Sequence, residues 1–225
     1  YNDYPGKGIY TKNYFVDNSL FNKRLFLKFE GAQTVADVSI NGKYIGQHRG
    51  GYSAFVFEIT NAVNFDEENI LEVKVDNSET EDVLPLGGDF NIYGGIYRPV
   101  ELLITEKACI TPLDFASPGM FLVQKNVSKE SAEIEVISKI SNGKSNNENF
   151  EIEATIKDAS GNIVQSGVSS LLVNAFETKQ TVIPINIQNP HLWNGIENPY
   201  LYSVVVQLKE DGKVLDEVTQ PLGIR

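Results

Sequence analysis

The chain has 225 residues, 41% of them apolar and 22% charged, enough for one large or two ordinary domains with packed cores. Its formal charge is −11, with 10 basic against 16 acidic residues up to Ile110 and 9 against 14 after it, so both halves repel phosphate backbones and anionic bilayers. Nucleic acid and membrane surfaces are therefore excluded as partners, while a neutral ligand meets no such penalty.

Cys109 is the one cysteine, which rules out an intrachain disulfide and a cysteine-based zinc site. No apolar run reaches the eighteen or so residues that a membrane helix needs. The chain opens at Tyr1 without a leader-like stretch and reads as a piece of a longer polypeptide.

Taken in order, the segments alternate with period two, the mark of half-buried strands. Leu25, Leu27 and Phe29 share one face, with Arg24, Lys28 and Glu30 opposite. Val38 to Ile45 reads as a hairpin, because Asn41-Gly42 is the pair preferred where both turn residues need positive φ. Phe55, Phe57 and Ile59 form the next strand, Thr60 to Val63 a short helical turn, and Leu71, Val73 and Val75 resume the alternation. This spacing predicts about eight strands in the first domain, residues 1–110.

The second domain is expected over residues 111–225. Ala132, Ile134, Val136 and Ile140 alternate with charged residues, as do Ile152, Ala154 and Ile156. Ala159 to Asn162 turns the chain. Ile183, Ile185 and Ile187 make a further strand, and Tyr202, Val204, Val206 and Leu208 pair across Asp211-Gly212 with Val214, Leu215 and Val218. About seven strands in this length predict an immunoglobulin-like sandwich lacking the disulfide of antibody domains.

Between Val75 and Ile96 the alternation stops. Residues 86–100 hold four glycines, the acid Asp89, the amide Asn91 and the aromatics Phe90, Tyr93 and Tyr97, and run into the apolar Val100 to Ile104. Such a stretch is either a turn whose aromatics are core or a finger that presents a carboxylate and aromatic faces to a polyol. Glu79, Glu81 and Asp82 flank it and read as solvated charge. His48 and His191 lack a second ligand at suitable spacing, so no metal is expected. No nucleophile with an adjacent base and no phosphate loop appear, so no cofactor and no catalytic residue are assigned. Cys109 reads as a buried structural thiol.

The run Asp89 to Val100 resembles the loop and strand that close the N-terminal domain of family two glycoside hydrolases, which include β-galactosidases, β-glucuronidases and β-mannosidases. Phe29-Glu30-Gly31-Ala32, Ala36 to Gly46, Gly50-Gly51-Tyr52 with Phe55 to Thr60, and Glu68 to Asp76 are similar to the preceding segments of that domain. Asn189 to Trp193, Pro199 to Tyr202 and Gly223-Ile224-Arg225 resemble segments of the family's immunoglobulin-like domain.

The resemblance implies an all-β chain, a jelly-roll (galactose-binding-like) β-sandwich followed by an immunoglobulin-like β-sandwich. It implies that both serve a C-terminal catalytic barrel of the same polypeptide, which carries the pair of glutamates for retaining hydrolysis. It further implies that Asp89 hydrogen-bonds the bound sugar, with Asn91 and Tyr93 as weaker sugar contacts. Arg98 is expected to pin the loop through carbonyls or an acid, and Trp193 to pack within the sandwich. The loop looks most like that of the β-galactosidase branch, so the expected partner is a β-galactoside. A β-glucuronidase or β-mannosidase, a stand-alone carbohydrate-binding module and a purely structural protein are the alternatives. A homo-oligomer is left open, and the single cysteine fits an exported or periplasmic setting as well as the cytoplasm.

Overall fold

The computed structural model describes residues 5–78, 80–83 and 93–225. The chain divides into two compact units, Tyr1–Thr105 and Glu106–Arg225. Both are built of strands. Among the described residues the one helical segment is a 3-10 turn, Asn18–Leu20, capped by the Asp17 carboxylate, which accepts from the Ser19 amide at 2.7 Å. Thr60 to Val63 is a turn rather than a helix, with the Ala62 amide bonded to the Ile59 carbonyl at 2.9 Å.

In the first unit, β1 (Lys7–Val16), β7 (Glu67–Asp76), β4 (Val35–Ile40) and β5 (Lys43–Arg49) form one antiparallel sheet in that order. A second sheet holds β6 (Phe55–Glu58), β2 (Arg24–Phe29) and β9 (Val100–Thr105), and the short β3 (Ala32–Gln33) pairs with β8 (Gly95–Ile96). Leu25, Leu27 and Phe29 meet Val38, Ile40, Val73 and Val75 in one core. Each such side chain taken out of water contributes roughly 1.5–3 kcal/mol. The Phe55 ring stacks on Phe29 at 4.6 Å on one side and on His48 at 4.2 Å on the other, and the burial of His48 lowers its pKa.

Arg24, on the face opposite Leu25, Leu27 and Phe29, is buried. Its guanidinium lies 5.0 Å from the Phe26 ring and makes a two-point bond to Glu58, at 2.9 and 2.8 Å. Both faces of β2 are covered, which is why its alternation in the sequence is imperfect: Phe26 is as buried as its neighbours.

The second unit packs two four-stranded sheets. In one, β12 (Ser131–Asn142) pairs on one side with β15 (Thr178–Gln188) and on the other with β10 (Ala108–Ile110) and β11 (Met120–Lys125). The other runs β14 (Ile163–Val173), β13 (Glu148–Lys157), β16 (Tyr202–Glu210) and β17 (Lys213–Leu222). The alternating residues predicted for β12, β13, β15 and β16 are its core. The amide of Ile110 donates to the Asp216 carboxylate at 2.8 Å, tying β10 to β17, and burial raises the Asp216 pKa. Cys109 is buried in β10. Most of β14 does not alternate in hydropathy, because it is an edge strand, but Gly167 lets it lie against Ile183: a Cβ there would come within 2.6 Å of the isoleucine Cγ2.

Candidate functional site

Of the glycine-rich stretch, residues 93–100 are described, while Asp89 and Asn91, together with Glu79, lie outside the described residues. Tyr93, the third expected sugar contact, is 73% exposed. After it the chain is held by close approach. Gly94 lies against Asn77, where a Cβ would come within 2.7 Å of the amide carbon. Gly95 has φ +99° and faces the Tyr10 hydroxyl, and β8 then pairs Gly95 with Gln33 and Ile96 with Ala32. A side chain at position 95 would meet both the hydroxyl and a backbone conformation that L residues resist.

Tyr97 and Arg98 complete the anchor. The Tyr97 hydroxyl donates to the Gly51 carbonyl at 2.6 Å. One terminal nitrogen of Arg98 donates to the carbonyls of Glu30 and Tyr52, each at 3.3 Å, so Arg98 pins this segment through backbone oxygens. The Arg98 guanidinium also lies 5.2 Å from the Tyr97 ring. Gly31 and Gly51 make room for this: a Cβ at 31 would press on the Tyr97 hydroxyl and the Arg98 Cδ, and one at 51 on the Gln33 amide. Gln33 is buried, and its Nε2 has no hydrogen-bond partner among the described residues.

Before the stretch, Asp82 accepts from Arg49 Nε at 2.8 Å and Nη2 at 2.5 Å. These bonds hold the Asp82 carboxyl below its ordinary pKa and raise that of Arg49. Asp82 is thus a partner in a forked ion pair, where sequence alone suggested solvated charge. A fork between residues 33 apart has no local sequence signal.

Elsewhere the chemistry is sparse. A cleft of about 410 Å³ opens between β1 and β9, lined by Tyr10, Tyr14, Leu71, Val73, Val100 and Leu102 among others. It presents no carboxylate; burial pushes the Tyr14 phenol up to about 12. In the second unit Trp193 packs beside Gly223, with its amide bonded to the Ile224 carbonyl at 2.8 Å and the Arg225 guanidinium 5.3 Å from its ring. Trp193 is half-buried there. Among the described residues no group of three potential metal ligands gathers. What the described residues do here is tie Asp82 on one side and Tyr97 and Arg98 on the other to the segment Arg49–Tyr52, and among them no acid–base pair is gathered.

Each of the two units is thus built of antiparallel sheets packed on a core of its own. Residues 1–106 match the family model described as the sugar binding domain of glycosyl hydrolases family 2, and residues 120–225 match the model described as glycosyl hydrolases family 2. The chain belongs to this family, as the paired N-terminal β-sandwich domains. It is 45% identical over 220 residues to a β-glucuronidase of Bacteroides fragilis, covering 98% of this chain and 31% of the relative. It is 33% identical to a β-galactosidase of Thermoanaerobacter pseudethanolicus, covering 99% of this chain and 29% of that protein. The crystal structure of a Bacteroides uniformis β-glucuronidase superposes on 99% of the chain, and on 27% of its own, with a TM-score of 0.95 at 30% identity. The chain therefore spans about a third or less of the length of these relatives.

Proposed function

We propose that this chain is the non-catalytic N-terminal part of a retaining family 2 glycosidase that hydrolyses terminal β-linked sugars. The observation that carries the reading is that both sandwiches match the family while spanning 31% of a full-length relative. In this reading the two units scaffold a (β/α)₈ barrel elsewhere in the polypeptide. Two carboxyls on that barrel, about 5–5.5 Å apart, act as nucleophile and acid/base. Asp89 accepts hydrogen bonds from sugar hydroxyls, a charge-assisted and directional contact. Asn91 and Tyr93 flank it.

The substrate in this reading is a β-galactoside, supported by the residue pattern Asp89 with Gly94-Gly95-Ile96-Tyr97-Arg98 and by a β-galactosidase relative at 33% identity. A second reading, a β-glucuronide, is favoured by the 45% identical relative. Assaying the full-length polypeptide on p-nitrophenyl β-galactoside and β-glucuronide separates them, since the hydrolysed one names the branch. The 225-residue chain alone is expected to turn over neither. Asp89→Ala in the full-length protein is expected to lower kcat/KM about 10- to 100-fold, the worth of a hydrogen bond to a charged group. Wild-type rates from that variant would refute the role.

A further inference from the structure

The first unit leaves one side of its core open. Its main sheets hold four and three strands, and their edge strands β1 and β9 face each other across the cleft of about 410 Å³. Val100, Leu102 and Ile104 of β9 stand directly across from Phe29, Leu27 and Leu25 of β2. Paired residues of an antiparallel ladder point to the same face, so all six side chains face the core. The three on β2 are 0%, 7% and 0% exposed, yet their partners on β9 are 36%, 39% and 46% exposed. Across the cleft, Tyr10 of β1 pairs with the buried Val73 and shares its face, but is itself exposed. The Tyr14 hydroxyl, on that same face and lining the cleft, is buried with no hydrogen-bond partner among the described residues.

We propose that this opening seats an extended, alternately apolar segment of the full-length polypeptide, from outside the 225 residues, added as a strand to the free edge of β9. Among the described residues β9 pairs with β2 alone, so one row of its N–H and C=O groups is unpaired. A strand there makes the second sheet four strands wide, opposite β1. With packed sheets about 10 Å apart, every second side chain of that strand enters the cleft. A helix would cover the apolar face but leave the row of backbone groups unpaired; a strand answers both. A polar atom of the segment completes the Tyr14 hydroxyl. The segment is assigned to the same polypeptide because the chain spans 31% of a relative 45% identical to it, which leaves about two thirds of that length outside. A tethered segment competes at an effective concentration on the order of millimolar, well ahead of a second copy in dilute solution. This assignment rests on the function proposed above, which makes the chain one part of a longer glycosidase.

The test uses the full-length polypeptide with Leu102→p-benzoylphenylalanine, photolysed in dilute solution, the crosslinked peptides being mapped by mass spectrometry. The expected product is an intramolecular crosslink from position 102 to a segment outside the 225 residues. A crosslink to a second copy, or only to residues 1–225, would overturn the proposal. Because the bulky probe can itself expel a strand, amide hydrogen exchange of the unsubstituted monomer decides if no crosslink forms. With the strand seated, all six amides of Val100–Thr105 should exchange at least about 100-fold slower than an open chain. A free edge would instead show alternate amides exchanging at open-chain rates, and that pattern overturns the proposal. Neither readout uses glycoside hydrolysis, so a failure of the function proposed above shows separately in the p-nitrophenyl assays.

Discussion

Glycine is used in two different ways in the two kinds of turn in this protein. In the hairpins at Asn41-Gly42 and Asp211-Gly212 both residues have positive φ, at 52° and 77° and at 48° and 78°, and nothing lies within 4 Å of where a glycine Cβ would sit. These turns are local devices set by backbone conformation. Around Tyr97 and Arg98 the glycines answer to distant side chains: Gly51 to Gln33, Gly31 to Tyr97, Gly94 to Asn77. There the absent Cβ is room for a neighbour, and the neighbour comes from a remote part of the chain.

Substitution should separate the two uses. Gly51→Ala is expected to have the largest effect, about 3 kcal/mol by chemical denaturation, because the new Cβ would come within 2.2 Å of a buried amide oxygen. If it costs no more than a hairpin glycine, Gln33 can move and the close-approach account is wrong. Gly42→Ala should lose about 1 kcal/mol, from φ alone. Gly212→Ala should match it within a few tenths.

Between these extremes lies a change that touches no glycine. Glu58→Gln leaves the Arg24 guanidinium buried without its counter-charge, and should cost about 2 kcal/mol at pH 7. Burial alone would raise the Glu58 carboxyl, but the hydrogen bonds and charge of Arg24, with the Thr60 hydroxyl, outweigh it and hold the pKa below the ordinary 4.5. A carboxyl lowered in the folded state stabilises above its unfolded value and loses that contribution as pH falls through the folded one. The gap between wild type and Glu58→Gln should therefore narrow below about pH 4.5, measured by denaturation across pH 3–7. A gap that stays constant would show that Glu58 acts by packing rather than by charge.

Much of the second unit was legible residue by residue. Ile134, Val136, Ile152, Ile156, Val204 and Val206 are core because each alternates with a polar neighbour on a strand covered on one face. The edge strand β14 was less so, since part of its length leans on Gly167 rather than on an apolar stripe. In the first unit β2 concealed Phe26 and the buried Arg24, because a strand covered on both faces has no clean alternation. Of the candidate site, the bonding of Arg98 to backbone carbonyls is what the resemblance implied, whereas the Arg49–Asp82 fork and the close approach of Gly51 to Gln33 had no signal in the sequence.

The sequence by itself determined that the chain is of the all-β class, that its cores alternate with period two, and where its Asn-Gly and Asp-Gly hairpins turn. Those properties are written in neighbouring residues, since backbone preference and one-face burial act over a few positions at a time. Only the tertiary structure decided which carbonyls receive Tyr97 and Arg98, which acid answers Arg49, and why Gly31 and Gly51 are glycines. Such contacts join segments tens of residues apart, and their energy exists only once the two sheets have packed and brought those segments to the same end of the sandwich.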